Sequence, residues 1–165
     1  MDARQALVSI QSWLLRRNTP MALVQFTEKA VRFLNYMRVG HLATMDGKDI
    51  HVVPMCPVFD GEVFYMATHA KTRKVQNLRR SKKATLILDQ YSEDWMRQGA
   101  VMMTGTVEIL EKGSVFEQAK ALLEAKYQQY QKLFPINKGE SVILRFQPTK
   151  LVTWDYALGE VREPH

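Results

Sequence analysis

Two Asp-Gly pairs, each lying between apolar runs of strand length, constrain the fold of this chain more than any other feature. Asp46-Gly47 separates residues 40–45 from residues 50–59, and Asp60-Gly61 separates that second run from residues 62–67. Asp-Gly is a strong hairpin signal because glycine readily adopts the positive φ angle that a tight turn needs. The pattern therefore predicts three antiparallel strands joined as a meander.

Two prolines, Pro54 and Pro57, lie inside the middle run of this meander. Proline has no backbone N–H to donate to a sheet, so in strands it is confined to edges, bulges and interruptions. We therefore expect one of these three irregularities here. It would leave backbone groups open to a flat ligand, although an edge strand without a ligand explains the prolines equally well.

The remaining strands are predicted from apolar runs at residues 84–90, 100–110 and 141–146, the last continuing beyond Pro148 to residues 151–154. Gly105 marks a possible bulge. Helical spacing of apolar residues appears at residues 2–17, after the capping residue Thr27, and at residues 113–133. About six strands with inserted helices favour a small antiparallel barrel over a doubly wound parallel sheet. A chain of 165 residues suits one such domain.

A basic stretch at residues 68–83, THAKTRKVQNLRRSKK, follows the predicted meander and contains no acidic residue. Its pattern changes from strand to helix at Thr72, a natural N-cap, and Val75 and Leu78 fall on one face of a short helix. A phosphate at such a helix start would gain backbone donors, the Thr72 hydroxyl and the Arg73 guanidinium. The stretch therefore predicts an anion site, with a solvated basic helix as the alternative.

The overall charge is consistent with an anionic partner, since the formal net charge is +6 and the pI is about 9.5. Phosphate esters and nucleic acid both meet this description. Cys56 is the only cysteine, which excludes an intrachain disulfide and fits a reducing cytosol. No apolar run approaches the roughly 18 residues of a membrane span, and the N-terminus lacks the zones of a signal peptide. We therefore expect a soluble cytoplasmic protein.

The sequence contains no phosphate-loop or dinucleotide glycine fingerprint and no cysteine cluster for zinc. His41 and His51 share the first predicted hairpin, but two histidines without a carboxylate at ligand spacing are weak evidence for a metal, and we predict none. No catalytic residue is identified. If the protein is an enzyme, a bound cofactor is expected to carry the chemistry.

Three segments in order, VGHLATMDGKDIHVVPMCPVFDGEVFYMAT, KTRKVQNLRRSKKATLILDQYSEDW and VMMTGTVEIL, carry a family resemblance. The chain resembles the pyridoxamine 5′-phosphate oxidase-like split-barrel flavoproteins, and more closely their deazaflavin-dependent branch. The resemblance covers residues 38–110, with a weaker echo at LVTWDY, residues 151–156. It implies a six-stranded antiparallel split β-barrel with flanking helices. It also implies a homodimer that holds a flavin-type cofactor in each of two sites at the subunit interface.

The resemblance also assigns residues to the cofactor. The family's phosphate-binding Ser/Thr-Arg-Lys falls on Thr72, Arg73 and Lys74, and its ring-contacting strand falls on residues 52–56. Thr68 matches a position that commonly forms hydrogen bonds near the ring or the ribityl chain. The full set of implied cofactor-binding residues is Val52, Val53, Pro54, Met55, Cys56, Thr68, Lys71, Thr72, Arg73, Lys74 and Trp154.

Departures from the family pattern decide which activity of the family we expect for this chain. His51 and Cys56 stand where pyridoxamine phosphate oxidases carry an arginine and a lysine, and after Trp154 only Arg162 is basic. Oxidation of pyridoxamine phosphate is therefore not the expected activity. We expect instead an oxidoreductase that acts on another small molecule with FMN, or with the deazaflavin coenzyme F-420. FMN is favoured because it is the more widespread cofactor.

Two alternatives remain open at this point. One is a flavin-binding protein without turnover. The other is a nucleic-acid-binding module that uses the basic residues 71–83, with Phe64 and Tyr65 as stacking surfaces. In domain terms we expect an amphipathic helical extension at residues 1–23 and one split-barrel domain at residues 24–165. The extension is expected to pack on its own domain or on a second subunit rather than on a membrane surface.

Overall fold

The computed structural model describes residues 24–155 and 160–162, so the helix predicted at residues 2–17 lies outside the described residues. The helices are α1 Glu28–Tyr36, α2 Arg73–Arg80, α3 Ser114–Lys126 and α4 Gln129–Lys132. The strands are β1 Gly40–Met45, β2 Ile50–Met55, β3 Val58–Phe59, β4 Phe64–His69, β5 Lys83–Gln90, β6 Gly99–Leu110, β7 Ser141–Asp155 and β8 Glu160–Arg162. A short 3-10 turn, Trp95–Arg97, connects β5 to β6.

The strands form one curled antiparallel sheet in the order β2-β1-β5-β6-β7-β4-β3, and β8 pairs with β7. Its concave face encloses an apolar core that includes Phe64, Leu86 and Phe146, onto which α2 packs through Val75 and Leu78. A second apolar cluster, built around residues such as Phe116 and Leu123, seats α3 against the opposite face of the sheet. The predicted fold class, a mainly β split barrel with flanking helices, is confirmed.

The predicted three-strand meander is wrong in one respect. The middle run is divided at Cys56-Pro57 into β2 and β3, which pair with β1 and β4 respectively. These two pairs lie at opposite ends of the strand order, so the link at Cys56-Pro57 joins the two edges of the sheet. Both Asp-Gly hairpins are present, and the prolines behave as expected: Pro54 lies in an edge strand and Pro57 in the interruption.

Of two further predictions, the structure corrects the first and confirms the second. The helix predicted at residues 113–133 is broken, because Tyr127 leaves helical geometry (φ −128°, ψ 94°) while its ring remains buried. The bulge predicted at Gly105 is confirmed by a shift of the β6–β7 register at that residue. A Cβ atom on Gly105 would lie 2.1 Å from the Gln147 carbonyl oxygen, so only glycine allows this approach.

The capping of α1 is also as predicted. The Thr27 hydroxyl accepts a hydrogen bond from the Ala30 N–H at 3.2 Å. No helix among the described residues is long and apolar enough to cross a membrane.

Candidate functional site

The start of α2 presents the predicted cations beside the end of β4. The turn before it is fixed by hydrogen bonds from the Lys71 N–H to His69 Nδ1 and from the Thr72 N–H to the His69 carbonyl, each 3.2 Å long. Lys74 Nζ donates to Thr68 Oγ1 at 3.0 Å, and burial lowers the pKa of Lys74 below its ordinary value. Three predicted residues, Thr68, Thr72 and Lys74, thus come together here, while Lys71 is exposed.

Thr72 differs from the sequence-based prediction in what its side chain does. It occupies the N-cap position with extended backbone angles, yet its side chain makes no capping hydrogen bond. Its hydroxyl donates instead to the His69 carbonyl oxygen at 3.0 Å. A hydroxyl has a single proton, so in this arrangement Thr72 has none to offer an anion. The charged donors at this helix start are therefore Arg73 and Lys74.

Arg73 is held by the turn between β1 and β2. Its Nη2 lies 3.3 Å from Asp46 Oδ2 and 3.6 Å from Asp49 Oδ2. The backbone N–H groups of Asp49 and Lys48 donate to the Asp46 carboxylate, and together with Arg73 they hold the pKa of Asp46 below its ordinary value. Nothing in the sequence pattern around Asp46 indicates this contact, because an Asp-Gly turn already explains that residue.

A buried polar contact docks α2 onto the same hairpin. Asn77 Nδ2 donates to Thr44 Oγ1 at 3.2 Å, and both side chains are buried. Buried polar groups that find a partner of this kind fix the relative position of two elements, since losing the partner leaves an unsatisfied group. The start of α2 is thereby held against the β1–β2 hairpin.

Strand β2, the predicted ring-contacting strand, alternates between core and solvent. Val53 and Met55 pack into the concave core, whereas Val52 is 56% exposed and Pro54 is also exposed. Within the described residues β2 pairs only with β1, so the backbone groups of its other edge have no strand partner. An apolar strand with an open edge is a surface on which a flat, polar-edged ring can lie.

Cys56 lies beyond the end of β2, at the far end of the strand from the Arg73 contacts. It packs against the second apolar cluster, and burial raises the pKa of its thiol while the cations of Arg38 and Lys126 oppose that rise. The structure therefore separates Cys56 from the start of α2.

Trp154 lies elsewhere on the sheet. It pairs with Ala100 on β6, whose partner on β5 is Asp89, and these residues line a cavity of about 270 Å³. That cavity lies across β5, β6 and β7, near the opposite end of β1 from the Arg73 contacts, and Trp154 is four strands from β2. Within one chain the structure thus does not bring Trp154 together with Thr72, Arg73 and Lys74.

Other sequence-derived candidates are separated or buried. His41 pairs with Pro54 and His51 with Thr44, which places the two histidines on opposite faces of their hairpin. In the part of the chain that the structure describes, no three His, Cys, Asp or Glu side chains are placed to hold a metal ion. The proposal that Phe64 and Tyr65 form a stacking surface is wrong, because they are 0% and 8% exposed.

Comparison with known proteins agrees with this architecture. A family model described as pyridoxamine 5′-phosphate oxidase matches residues 26–155. No curated protein matches the sequence. A conserved hypothetical protein from Mycobacterium tuberculosis is 25% identical, with a TM-score of 0.69 and coverage of 87% of this chain and 92% of that chain.

Two other solved structures share the fold at lower identity. An F-420 reductase is 22% identical with a TM-score of 0.61, covering 76% of this chain and 98% of that chain. The heme storage protein HutZ from Vibrio cholerae is 15% identical with a TM-score of 0.64, covering 78% and 94%. The extent of the family match, joined to the curled sheet and its flanking helices, shows that this chain belongs to the pyridoxamine 5′-phosphate oxidase family.

Proposed function

We propose that the protein is a homodimeric oxidoreductase that binds a flavin-type cofactor and acts on a small molecule other than pyridoxamine phosphate. The observation that carries the proposal is a cationic helix start docked on the β1–β2 hairpin, in which the apolar strand β2 has an open edge. Flavin nucleotides combine a flat ring with a phosphate, so they need both features at once. Membership of the family supports the same class of ligand.

The residues present fit such a group. Arg73 and Lys74 would neutralise the phosphate, and a hydrogen bond to the Thr68 hydroxyl holds the Lys74 ammonium beside the end of β4. Lys74 is half-buried, so its charge acts in a medium where water screens it less. The backbone of residues 52–56 would contact the ring, while the side chains of Met55, which is buried, and Val53, which is partly buried, hold that backbone against the core. When bound, the cofactor supplies hydride transfer.

FMN is the favoured cofactor. The longer tail of the deazaflavin coenzyme F-420 would need further basic surface beyond the phosphate site, and Lys71, Arg79 and Arg80 are the residues suited to that purpose. Arg79 Nη2 lies 3.2 Å from Glu111 Oε1, so part of its charge is already neutralised within the chain. The F-420 reductase among the structural neighbours keeps the deazaflavin as the alternative.

The homodimer is proposed because a second copy would resolve two features of the single chain. Met45, Ile50 and Val52 expose apolar side chains on one face of the β1–β2 hairpin. Large apolar side chains grouped on a surface mark interaction sites. A partner covering that face would also allow Trp154 of one chain to approach the phosphate residues of the other. Sedimentation velocity at micromolar concentration should show a dimer, and a cofactor-loaded monomer would refute this part of the proposal.

The cofactor is tested with the purified protein. Its absorption spectrum, followed by mass analysis of whatever it releases on denaturation, identifies a resident chromophore. Titration of the cofactor-free protein with FMN, F-420 and riboflavin then tests the phosphate contacts, and we expect riboflavin to bind much more weakly than FMN. Equal affinities would contradict the phosphate site. Tight binding of single-stranded DNA with a steep salt dependence would favour the nucleic-acid alternative.

A further inference from the structure

The end of α3 carries polar side chains that the sequence analysis missed and that lie outside the proposed phosphate site. The Tyr127 hydroxyl lies 2.7 Å from the Pro57 carbonyl oxygen and 2.9 Å from that of Arg38. Lys126 Nζ donates to the same Pro57 oxygen at 3.0 Å and to the Met37 carbonyl at 2.8 Å. Two neighbouring side chains therefore converge on one carbonyl group, that of Pro57.

Arg38 belongs to the same cluster. Its guanidinium donates to the Lys126 carbonyl oxygen and lies 4.9 Å from the centre of the Tyr127 ring. These bonds join three parts of the chain: the segment before β1, the Cys56-Pro57 link and the end of α3. Each contact spans a long sequence separation, up to 89 residues for the bonds to Met37 and Arg38.

Burying the polar and charged side chains of this cluster costs free energy, which a purely structural contact between apolar side chains would avoid. Tyr127 is buried, and Lys126 is half-buried with a pKa that burial and the nearby Arg38 charge lower to about 8. None of the ion pairs found among the described residues joins Lys126 or Arg38 to a carboxylate. Replacing buried polar groups with apolar side chains of similar size is often neutral or stabilising. Lys126 is a cation held here by two carbonyl groups and the Tyr127 ring, without a carboxylate, which indicates that a defined geometry matters.

The contacts of Lys126 and Tyr127 bear on the backbone geometry of strand β2. This strand is hydrogen-bonded on one side only within the described residues, and Pro54 has no N–H to contribute. Its C-terminal end enters the Cys56-Pro57 link, which crosses from one edge of the sheet to the other. Side-chain bonds to the Pro57 carbonyl fix the point where β2 ends, and so restrict the backbone of the residues just before it.

We infer that Lys126 and Tyr127 are positioning residues, which hold the Cys56-Pro57 link so that the open edge of β2 presents its backbone to the cofactor ring. This inference rests on the proposed function for the identity of the ligand. Neither side chain needs to touch the cofactor. Both act through the Pro57 carbonyl oxygen.

The test uses two variants that keep size and remove hydrogen bonds: Lys126→Met and Tyr127→Phe. Two matched controls lie close by in the chain, Lys120 on α3 and Tyr130 on α4. Tyr130→Phe removes the hydroxyl from a ring whose centre lies 6.0 Å from that of Tyr127, and Lys120→Met removes a lysine that pairs with Glu124. Three measurements are made on each full-length protein: amide hydrogen exchange without cofactor, FMN affinity, and the absorption maximum of bound FMN.

We expect Lys126→Met and Tyr127→Phe to speed amide exchange locally, at residues 52–58, and to weaken FMN binding by roughly 5- to 30-fold, as the loss of a buried hydrogen bond predicts. The absorption maximum of bound FMN should shift, because the ring meets a less ordered backbone. The controls should change FMN affinity less than about twofold. Local exchange together with weakened binding supports the inference.

Three results would overturn it. The first is unchanged exchange at residues 52–58, and the second is exchange raised equally in β6, which would indicate global destabilisation. The third is faster local exchange with unaltered affinity for FMN. If the parent protein binds neither FMN nor F-420, the proposed function is wrong. The exchange data then decide on their own whether the pair holds β2.

Discussion

The two Asp-Gly turns share the same local structure. The Asp46 carboxylate accepts from the N–H groups of Lys48 and Asp49, both at 3.0 Å, and the Asp60 carboxylate accepts from Glu62 and Val63, both at 2.9 Å. The glycines also match, with φ angles of 106° at Gly47 and 111° at Gly61. The same dipeptide has therefore produced the same turn twice.

Their surroundings differ. The second carboxylate oxygen of Asp46 meets Arg73 from the start of α2, and Asp49 of the same turn joins that contact. The Asp60 carboxylate instead lies beside the hydroxyl of Tyr65, whose pKa burial raises above its ordinary value. One turn is thus coupled to the proposed phosphate site and the other is not. The Asp-Gly pair thus specifies the turn, while the element packed beside the turn decides whether it has a further role.

Removing Arg73 breaks the contact between the first Asp-Gly turn and the start of α2, and it should have the largest effect on FMN affinity. A charge-assisted contact to phosphate is worth on the order of 1.5 to 3 kcal/mol, so Arg73→Ala should weaken FMN binding by roughly 10- to 150-fold. The weaker binding of riboflavin should hardly change. The matched control is Lys82→Ala, an exposed lysine beyond the end of α2. Equal losses for the two variants would indicate a diffuse basic surface and would favour nucleic acid as the partner.

Substituting the two glycines tests whether the turns are equivalent in stability. A Cβ atom added at Gly47 or at Gly61 would meet no other atom within 4 Å, so the cost of alanine comes from the positive φ alone. We expect Gly47→Ala and Gly61→Ala each to lower the free energy of unfolding by about 1 to 2 kcal/mol in urea titrations. Only Gly47→Ala should also alter FMN affinity. A large difference in stability between the variants would show that the turns are not equivalent.

Neutralising the carboxylates should have a smaller effect of opposite sign. Asn preserves the turn because its side-chain oxygen accepts the same backbone bonds. Asp46→Asn removes a charge that competes with phosphate for Arg73, and because ion pairs at the surface contribute little, FMN should bind at most about fivefold more tightly. Asp60→Asn, the matched control, should leave the affinity unchanged. Weaker FMN binding in Asp46→Asn would mean that Asp46 orients Arg73 rather than competing for it.

The smallest expected effect is on how the free energy of unfolding depends on pH. Hydrogen bonds from Asp49 and Lys48 lower the pKa of Asp46 in the folded protein. The unfolded chain therefore binds this proton at a higher pH than the folded chain does, and the stabilisation is present above the unfolded pKa of about 3.9. It is lost as the pH falls through the lower, folded pKa. Urea unfolding from pH 5 downward should show parent protein losing stability relative to Asp46→Asn, and parallel curves would contradict this.

The sequence by itself determined features that depend on neighbouring residues. The two hairpins, the interruption at the prolines and the bulge at Gly105 all follow from the backbone limits of Gly and Pro. The start of α2 at Arg73 and its buried face, Val75 and Leu78, follow from helical spacing. The motif order also identified the family, because spacing along the chain survives when individual residues change.

Only the tertiary structure decided how these parts meet. The placement of β2 and β3 at opposite ends of the strand order depends on which strands pair across the whole chain. The contact of Arg73 with Asp46 spans 27 residues, and that of Tyr127 with Pro57 spans 70. No local propensity encodes such contacts, because each depends on the packing of a helix against a distant part of the sheet. Backbone geometry is set locally, whereas the partners of charged and polar side chains are set by the packed fold.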